Sequence, residues 1–380
     1  SLSEAEMLIS EVTKFHTAMS AKNDQVHASV QPLMDSYVAQ SYRLRHIDHW
    51  TKRLVDDNTA LLEFCAQRDA DNVREACEGW GTDKDKLINT LCSLSKAQMA
   101  RVDQIYQEKY GLTLRKQIED ELVGFFGSSS HFKYFMQVLL TPAAQIDAEF
   151  LEDSMRGLGT DETLLTEIVC TRTNNEIKAA KRCFEAKTGG TVESWVKDDA
   201  GGVYARFLLR CLKGDRCEGF ENRDAAKMDA ENLVKYCSLP SGNLECEGLF
   251  LDIIARASVE QLKLIQEEYQ NLVGTSLIEH IKGATSGDFE NAVIARCTDR
   301  IIYYAKSLDK AWKGLGTDEK TTSRIFARCT KNDMKLVAEA YTRLTSNNFR
   351  EAVISEADGN YSTALVTYLF STVPEKRVPE

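Results

Sequence analysis

Three short glycine loops carry residue types that could bind a hard metal cation. The pattern Gly-x-Gly-Thr-Asp occurs three times, with its first glycine at Gly79, Gly157 and Gly314. An acidic residue follows 42 positions later in each copy, as Glu121, Asp199 and Glu356. Alternate glycines allow a tight turn with positive φ, which exposes backbone carbonyl oxygens on one side. Several neutral oxygens and one carboxylate favour Ca²⁺, with its roughly six to eight oxygen ligands, over the smaller Mg²⁺.

A helix-to-helix connection without a ligand is the alternative interpretation of a single loop. The Thr after the second glycine is a favourable N-cap, and the Asp or Glu behind it suits the positive first turn of a helix. Two observations favour a ligand. The loop is repeated with high fidelity, and each partner acid lies just before another loop of small residues. We therefore predict that packed helices bring each acid beside its loop.

The charge of the chain suggests how such sites would be used. Its net charge of −11 disfavours binding to nucleic acid and to bare anionic membranes. One carboxylate does not neutralise a calcium ion, so anionic phosphate could occupy the remaining coordination positions. The residue between the two glycines would then point outward to a membrane interface. These predicted contact residues are Trp80, Leu158 and Leu315; burial of Trp80 against a neighbouring helix is the alternative.

The spacing of the loops predicts a repeat with four copies. Gly157 follows Gly79 by 78 residues and precedes Gly314 by 157, which places a missing copy near position 235. The chain there reads Leu-Pro-Ser-Gly-Asn-Leu-Glu over residues 239–245, without the loop. Its acid position falls on the stretch Lys-Gly-Ala at residues 282–284. We therefore predict no calcium site of this kind in the third copy.

Apolar residues recur at helical spacing through every copy, and no alternating strand pattern of useful length is present. The predicted fold is all-α, with four repeats of about five helices each. The sequence places these repeats at residues 69–142, 143–219, 220–298 and 299–373. Residues 1–68 form an N-terminal extension in which we expect two or three amphipathic helices. This extension contains a local basic cluster, formed by Arg43, Arg45, Lys52 and Arg53.

The composition of the chain and its motifs narrow the classes of protein to which it could belong. The 11 cysteines are scattered without CxxC pairs, which indicates buried reduced thiols in a cytosolic protein, such as Cys92, Cys170 and Cys211. The first 20 residues hold no signal-peptide core, and no apolar run is long enough to span a bilayer. Gly-x-Ser-x-Gly, P-loop and HExxH motifs are absent, so we do not expect an enzyme.

The repeated loops resemble those of the annexin family, whose repeat centres on Gly-x-Gly-Thr-[Asp/Glu] with a partner acid further along. The resemblance covers about residues 69–373, and three of the four copies match. It implies four five-helix repeats in a curved disc, with calcium loops on the convex face that dock onto acidic phospholipid. The implied carbonyl ligands are those of Cys77, Gly79, Gly81, Met155, Gly157, Gly159, Trp312, Gly314 and Gly316. The implied carboxylate ligands are those of Glu121, Asp199 and Glu356.

The extension at residues 1–68 is long for this family. A structural or cytoskeletal scaffold that uses the disc and this extension is therefore the second interpretation, with a filament or protein partner bound through residues 1–68. The expected location is the cytoplasm, with peripheral attachment to membranes when calcium rises.

Overall fold

Two compact units divide the chain, at Ser1–Arg68 and Asp69–Glu380. The computed structural model describes residues 10–14, 16–17, 19–21, 52, 59–79, 81–122, 129–157, 159–219, 221–237, 244–313 and 316–371. In the first unit, all of the described residues are helical, as the apolar spacing predicts. Three members of the predicted basic cluster, Arg43, Arg45 and Arg53, lie outside the described residues.

The described part of the second unit contains helices and no strand, so the all-α prediction is confirmed. The helices follow one another in four sets of five. The first set is α1 (59–76, of which residues 69–76 belong to the second unit), α2 (Lys84–Leu91), α3 (Lys96–Tyr110), α4 (Leu114–Glu121) and α5 (Ser129–Leu140). The second is α6 (Ala143–Met155), α7 (Glu162–Thr171), α8 (Asn174–Thr188), α9 (Val192–Asp199) and α10 (Gly202–Cys211). The third is α11 (Arg223–Cys237), α12 (Leu244–Arg256), α13 (Val259–Val273), α14 (Leu277–Ala284) and α15 (Gly287–Cys297). The fourth is α16 (Arg300–Ala311), α17 (Glu319–Arg328), α18 (Lys331–Thr345), α19 (Phe349–Glu356) and α20 (Gly359–Phe370).

Local capping signals make equivalent helices in the four sets begin and end at equivalent positions. The third helix of every set has 15 residues, and the fourth helix has 8. Each third helix begins behind a hydroxyl N-cap that accepts from the N–H three positions on, at Ser95, Thr173, Ser258 and Thr330. None of the helices among the described residues combines the length and apolar character needed to cross a bilayer.

Two apolar clusters join the sets to one another. One continuous buried cluster runs from α5 through the second set and the third. An aromatic cluster joins the first set to the fourth, because Phe135 of α5 packs edge-on against Phe326, Tyr361 and Tyr368. The apolar core thus connects the beginning of the second unit to its end.

Buried ion pairs join the second set to the fourth. Asp147 of α6 contacts Arg172 at 3.1 Å and Arg328 at 2.9 Å. Glu167 of α7 contacts Arg324 at 2.9 Å. These side chains are all buried, and their burial is tolerated because each charge faces an opposite one.

Glu176, at the start of α8, extends this junction toward α16. The Arg300 guanidinium lies 2.9 Å from its carboxylate, and Arg328 lies 3.1 Å away. Burial alone would raise the pKa of Glu176, but Arg300, the Thr173 N–H at 2.8 Å and Arg328 outweigh it. Together they lower the pKa of Glu176 to about 2.

We expect this carboxylate to make stability pH-dependent in acid. The unfolded chain takes up the proton first as pH falls, because its Glu pKa lies near the ordinary value of 4.5. The contribution of Glu176, about 3 kcal/mol, is complete above about pH 4.5 and lost as pH falls toward about 2. Urea unfolding across this window should give a shallower pH slope for Glu176→Gln than for wild type. An unchanged slope, with the exposed Glu267→Gln as control, would contradict the assignment.

Candidate metal centres

The three glycine loops close in the same way. The N–H of the Asp that ends each loop donates to the carbonyl seven residues earlier. The N···O distance is 2.9 Å for Asp83, 2.7 Å for Asp161 and 2.9 Å for Asp318. The described glycines have positive φ, at +106° and +89° in the first loop, +113° and +95° in the second and +95° at Gly316. A side chain is strained at these angles, so the loops require glycine.

The expectation that Thr caps the following helix is wrong. The N-cap in all three loops is the residue after the Thr. Its Asp carboxylate accepts a hydrogen bond from the N–H three positions further on, at an N···O distance of 2.9 Å in each loop. The caps are Asp83, Asp161 and Asp318. The carboxylate supplies both the acceptor and the negative charge that the helix start favours. The Thr hydroxyl is thereby left free for another partner.

That partner is the predicted acid in the first and fourth repeats. Thr82 Oγ1 donates to Glu121 Oε2 at 3.3 Å, and Thr317 Oγ1 donates to Glu356 Oε2 at 2.7 Å. Both pairs are separated by 39 residues. Each acid is the last residue of its eight-residue helix, so the packing of that helix places its carboxylate at the loop. The signal in the sequence for this contact is the Thr that recurs 39 residues before the acid.

The second repeat differs in detail. Thr160 Oγ1 meets the backbone carbonyl of Asp199, at 3.4 Å, and not its carboxylate. The Asp199 side chain is one methylene shorter than Glu and is exposed. The structure therefore brings the backbone of Asp199 to the loop, at a residue that is exposed.

The residues whose carbonyl groups are the implied ligands fall into two classes according to their exposure. Cys77, Met155 and Trp312 have buried side chains. The loop glycines are exposed where described, at Gly79, Gly81, Gly157, Gly159 and Gly316. Within the described residues, no hydrogen-bond donor reaches the carbonyl of the second glycine in any of the three loops. Gly314 and the predicted membrane contacts Trp80, Leu158 and Leu315 lie outside the described residues.

The third repeat keeps the helix but lacks the acid. Helix α14 also has eight residues, and its last position is Ala284. The position that corresponds to the acids, predicted to fall within residues 282–284, is therefore Ala284. The segment where its loop would lie, 238–243, is outside the described residues.

The donor chemistry at the loops fits calcium. The loops offer neutral backbone oxygens, and a single carboxylate lies at the first and at the fourth. Hard cations with many oxygen ligands suit such a set. The described residues form no cluster of three or more His, Cys, Asp or Glu side chains that could hold a metal ion. A site at these loops would therefore depend mainly on the backbone.

The Thr–acid contacts predict a difference between repeats. We expect Thr317→Val to lower the free energy of unfolding by about 1–2 kcal/mol, because it removes a short hydrogen bond to a partly buried carboxylate. Thr160→Val, which loses only a 3.4 Å contact to a carbonyl, should cost less than about 0.5 kcal/mol. Urea unfolding of the two variants in chelator measures both. Equal losses would show that the Thr317–Glu356 contact has no special strength.

Comparison with known proteins defines the class. The annexin sequence model matches residues 68–129, 146–210, 242–295 and 303–368. Mouse annexin A13 is 34% identical over 310 residues, which cover 80% of this chain and 95% of the relative. The solved structure of annexin III superposes with a TM-score of 0.74 at 30% identity, over 80% of this chain and 93% of that one. A calcium-bound annexin (Sm)1 has the same fold, with a TM-score of 0.71 at 24% identity over 80% and 90% of the two chains.

The chain belongs to the annexin family, and the predicted membership and four-repeat fold are confirmed. Annexins are in general calcium-dependent phospholipid-binding proteins and not enzymes. The family match begins at residue 68, so residues 1–67 lie outside it.

Proposed function

We propose that this chain binds acidic phospholipid membranes peripherally, through calcium ions held at the loops of its first, second and fourth repeats. The observation that carries the proposal is the contact between loop and acid. In two repeats, a Thr hydroxyl reaches a carboxylate 39 residues away, at 3.3 Å and 2.7 Å. A plain connector between helices has no need of that carboxylate.

Each proposed site combines loop carbonyls with one acid. The first uses the carbonyls of Cys77, Gly79 and Gly81 with the Glu121 carboxylate. The second uses Met155, Gly157 and Gly159 with Asp199. The fourth uses Trp312, Gly314 and Gly316 with Glu356. The second site requires the Asp199 carboxylate to reach its loop when calcium arrives.

Lipid completes these sites. A calcium ion held by neutral carbonyls and one carboxylate keeps positive charge, and a lipid phosphate is a suitable further ligand. Binding of phosphate and calcium is therefore mutually supportive. The net charge of −11 makes this bridge necessary, because the protein itself repels an anionic surface. Trp80, Leu158 and Leu315 are proposed to enter the interfacial layer beside the bridging ions.

The proposal extends to organisation and location. The repeats are assigned to residues 69–142, 143–219, 220–298 and 299–373, after the extension at 1–68. The protein is proposed to reside in the cytoplasm and to move to membranes as calcium rises.

Vesicle sedimentation tests the proposal. Vesicles of phosphatidylcholine with phosphatidylserine are pelleted with the full chain in calcium or in chelator. We expect pelleting only with calcium and only when the anionic lipid is present. Pelleting that chelator leaves unchanged would refute the proposal, as would equal binding to pure phosphatidylcholine.

A second candidate function is a structural or cytoskeletal scaffold that binds a filament or protein partner through residues 1–68. It is favoured by three exposed apolar side chains in the first unit, Leu61, Leu62 and Phe64, because exposed apolar clusters commonly mark interaction sites. Filament co-sedimentation in chelator, with a triple change of these residues to Ser as control, distinguishes this role. Binding that depends on calcium would count against it.

A further inference from the structure

A cavity of about 290 Å³ lies between the second and fourth sets, next to two of the glycine loops. Asp161 and Asp318, the N-cap residues that end the second and fourth loops, both line it. The buried ion pair of Glu167 and Arg324 lines it as well. The ends of two loops and one contact between repeats thus share a single cavity.

Arg324 belongs to α17 of the fourth set, but side chains of the second set hold its guanidinium. Its Nη2 donates to Glu167 Oε2 at 2.9 Å, and its Nε lies 3.2 Å from both oxygens of that carboxylate. The guanidinium also lies over the ring of Phe150 in α6, 5.8 Å from the centroid. Arg324 is 6% exposed and Glu167 is 1% exposed. Because a two-pronged pair of this kind fixes geometry, the second repeat determines where this guanidinium lies.

The same guanidinium reaches the cap of the fourth loop through one hydroxyl. Arg324 Nη2 also donates to Thr321 Oγ1 at 3.1 Å. Thr321 Oγ1 in turn donates to Asp318 Oδ2 at 2.7 Å, and the N–H of Thr321 donates to Asp318 Oδ1 at 2.9 Å. Hydrogen bonds in a chain polarise and strengthen one another. The pair with the second repeat therefore strengthens the contact that holds Asp318.

The other two loops differ at this position. Lys86 in the first loop and Leu164 in the second correspond to Thr321, and their N–H groups donate to Asp83 and Asp161. Leucine has no side-chain donor, and the ammonium group of Lys86 pairs with a carboxylate of α1 instead. Among the loops as the structure describes them, the side-chain connection to another repeat is therefore particular to the fourth.

The position of Asp318 governs the geometry of its loop. Its N–H donates to the Ala311 carbonyl at 2.9 Å and closes the loop. It directly follows Thr317, whose hydroxyl donates to Glu356 at 2.7 Å. It also lies two residues after Gly316, whose carbonyl is a proposed calcium ligand. A displacement of Asp318 therefore disturbs both the carbonyl side and the acid side of the proposed site.

We propose that Arg324 is a positioning residue for the fourth calcium loop, and that it makes the order of this loop depend on the second repeat through Thr321 and Asp318. While Glu167 holds the guanidinium, the Thr321 hydroxyl is directed to the cap. Without that pair, water competes for the hydroxyl and the loop opens more often. Coupling between sites is reciprocal, so calcium at the fourth loop also stabilises the pair. The part that concerns calcium rests on the proposed function, whereas the positioning of the loop does not require calcium.

Hydrogen exchange in chelator tests the positioning without calcium. Thr321→Val removes the hydroxyl and keeps the backbone cap, and we expect the Asp318 N–H to exchange roughly tenfold faster because the loop opens more often. Thr321→Ser keeps the hydroxyl and should exchange near the wild-type rate. The Asp83 N–H, which closes the first loop, is the internal reference for global opening. An unchanged Asp318 rate in the valine variant, or an equal rise in the serine variant, would overturn the proposal.

Glu167→Gln tests the dependence on the second repeat, because Glu167 is 157 residues from Arg324 in sequence. We expect faster exchange at the Asp318 N–H and no change at the Asp83 N–H. Thr163→Val is the matched control, since this exposed threonine lines the same cavity from α7, and it should leave both rates at the wild-type value. Equal acceleration at both amides would indicate global loosening and would refute the connection between the repeats.

A calcium titration tests the consequence for binding. The parent combines Glu121→Gln with Asp199→Asn, so that only the fourth proposed site keeps its acid. Adding Thr321→Val should raise the calcium concentration for half-maximal sedimentation with phosphatidylserine vesicles roughly tenfold, and adding Thr321→Ser should restore the value of the parent. A parent that does not sediment in calcium would count against the proposed function at this loop, and the exchange rates would still decide the positioning. A parent that sediments, with a valine variant that matches it, would overturn the proposal.

Discussion

Replacing Glu121, Asp199 and Glu356 together by their amides is expected to raise the calcium concentration for half-maximal vesicle binding on the order of 100-fold or more. Each proposed site has one carboxylate, so the amides remove all of the side-chain charge that holds the ions. The carbonyl oxygens of the loops remain, but neutral ligands alone hold a divalent cation weakly in water. Vesicle sedimentation across a calcium titration measures the shift.

The third repeat provides a matched control for this triple change. Ala284 occupies the last position of α14, which corresponds to the three acids. Ala284→Gln places a similar amide at that register in a repeat that lacks the loop sequence, and we expect no change in calcium dependence. A triple variant that binds vesicles at wild-type calcium concentrations would show that these acids are not ligands.

Replacing Asp147 by Asn is expected to lower the free energy of unfolding by about 3–5 kcal/mol. Asp147 is 1% exposed and pairs with Arg172 at 3.1 Å and Arg328 at 2.9 Å. The amide keeps the shape of the side chain but removes the nearest charge from two buried guanidinium groups, which leaves Arg172 with Glu167 at 3.7 Å and Arg328 with Glu176 at 3.1 Å. Because these arginines belong to the second and fourth repeats, the loss weakens the junction between them. Denaturant unfolding in chelator measures the change.

An exposed ion pair is the control for this prediction. Glu267 pairs with Arg223 at 2.9 Å, with both side chains more than half exposed. Glu267→Gln should therefore cost less than about 1 kcal/mol, as exposed pairs do. Similar losses in the two variants would show that burial does not strengthen the Asp147 contacts. If Asp147→Asn is too unstable to isolate, the prediction of a large loss is supported by its yield relative to Glu267→Gln.

The helical repeat could be predicted from sequence because its signals are local. Apolar spacing, hydroxyl caps and glycine turns all act within a few residues, and they recur in each copy. The same local reasoning misassigned Thr82 and Thr317. A Thr before an Asp is a good cap when only its neighbours are considered, but its actual partner is an acid 39 residues away. Only the packing of the fourth helix shows that contact.

Other contacts between distant parts of the chain could not be predicted from local patterns, for the same reason. Glu167 and Arg324 are separated by 157 residues, and Lys331 of α18 donates to the carbonyls of Cys92 and Ser93 at the end of α2. No periodicity connects such positions. Asp199 shows a different limit, because its spacing matches that of the two glutamates while the Thr hydroxyl of its loop contacts its backbone carbonyl.

A crystal structure of the chain with calcium tests the central claim most directly. Anomalous scattering locates the ions without reference to the expected sites. We predict ions at the first, second and fourth loops, each touching the second loop glycine's carbonyl, at Gly81, Gly159 and Gly316, and the partner acid 42 residues beyond the first glycine. We predict none at the corresponding position of the third repeat. Loops free of calcium, or ions that do not contact Glu121, Asp199 and Glu356, would contradict the account.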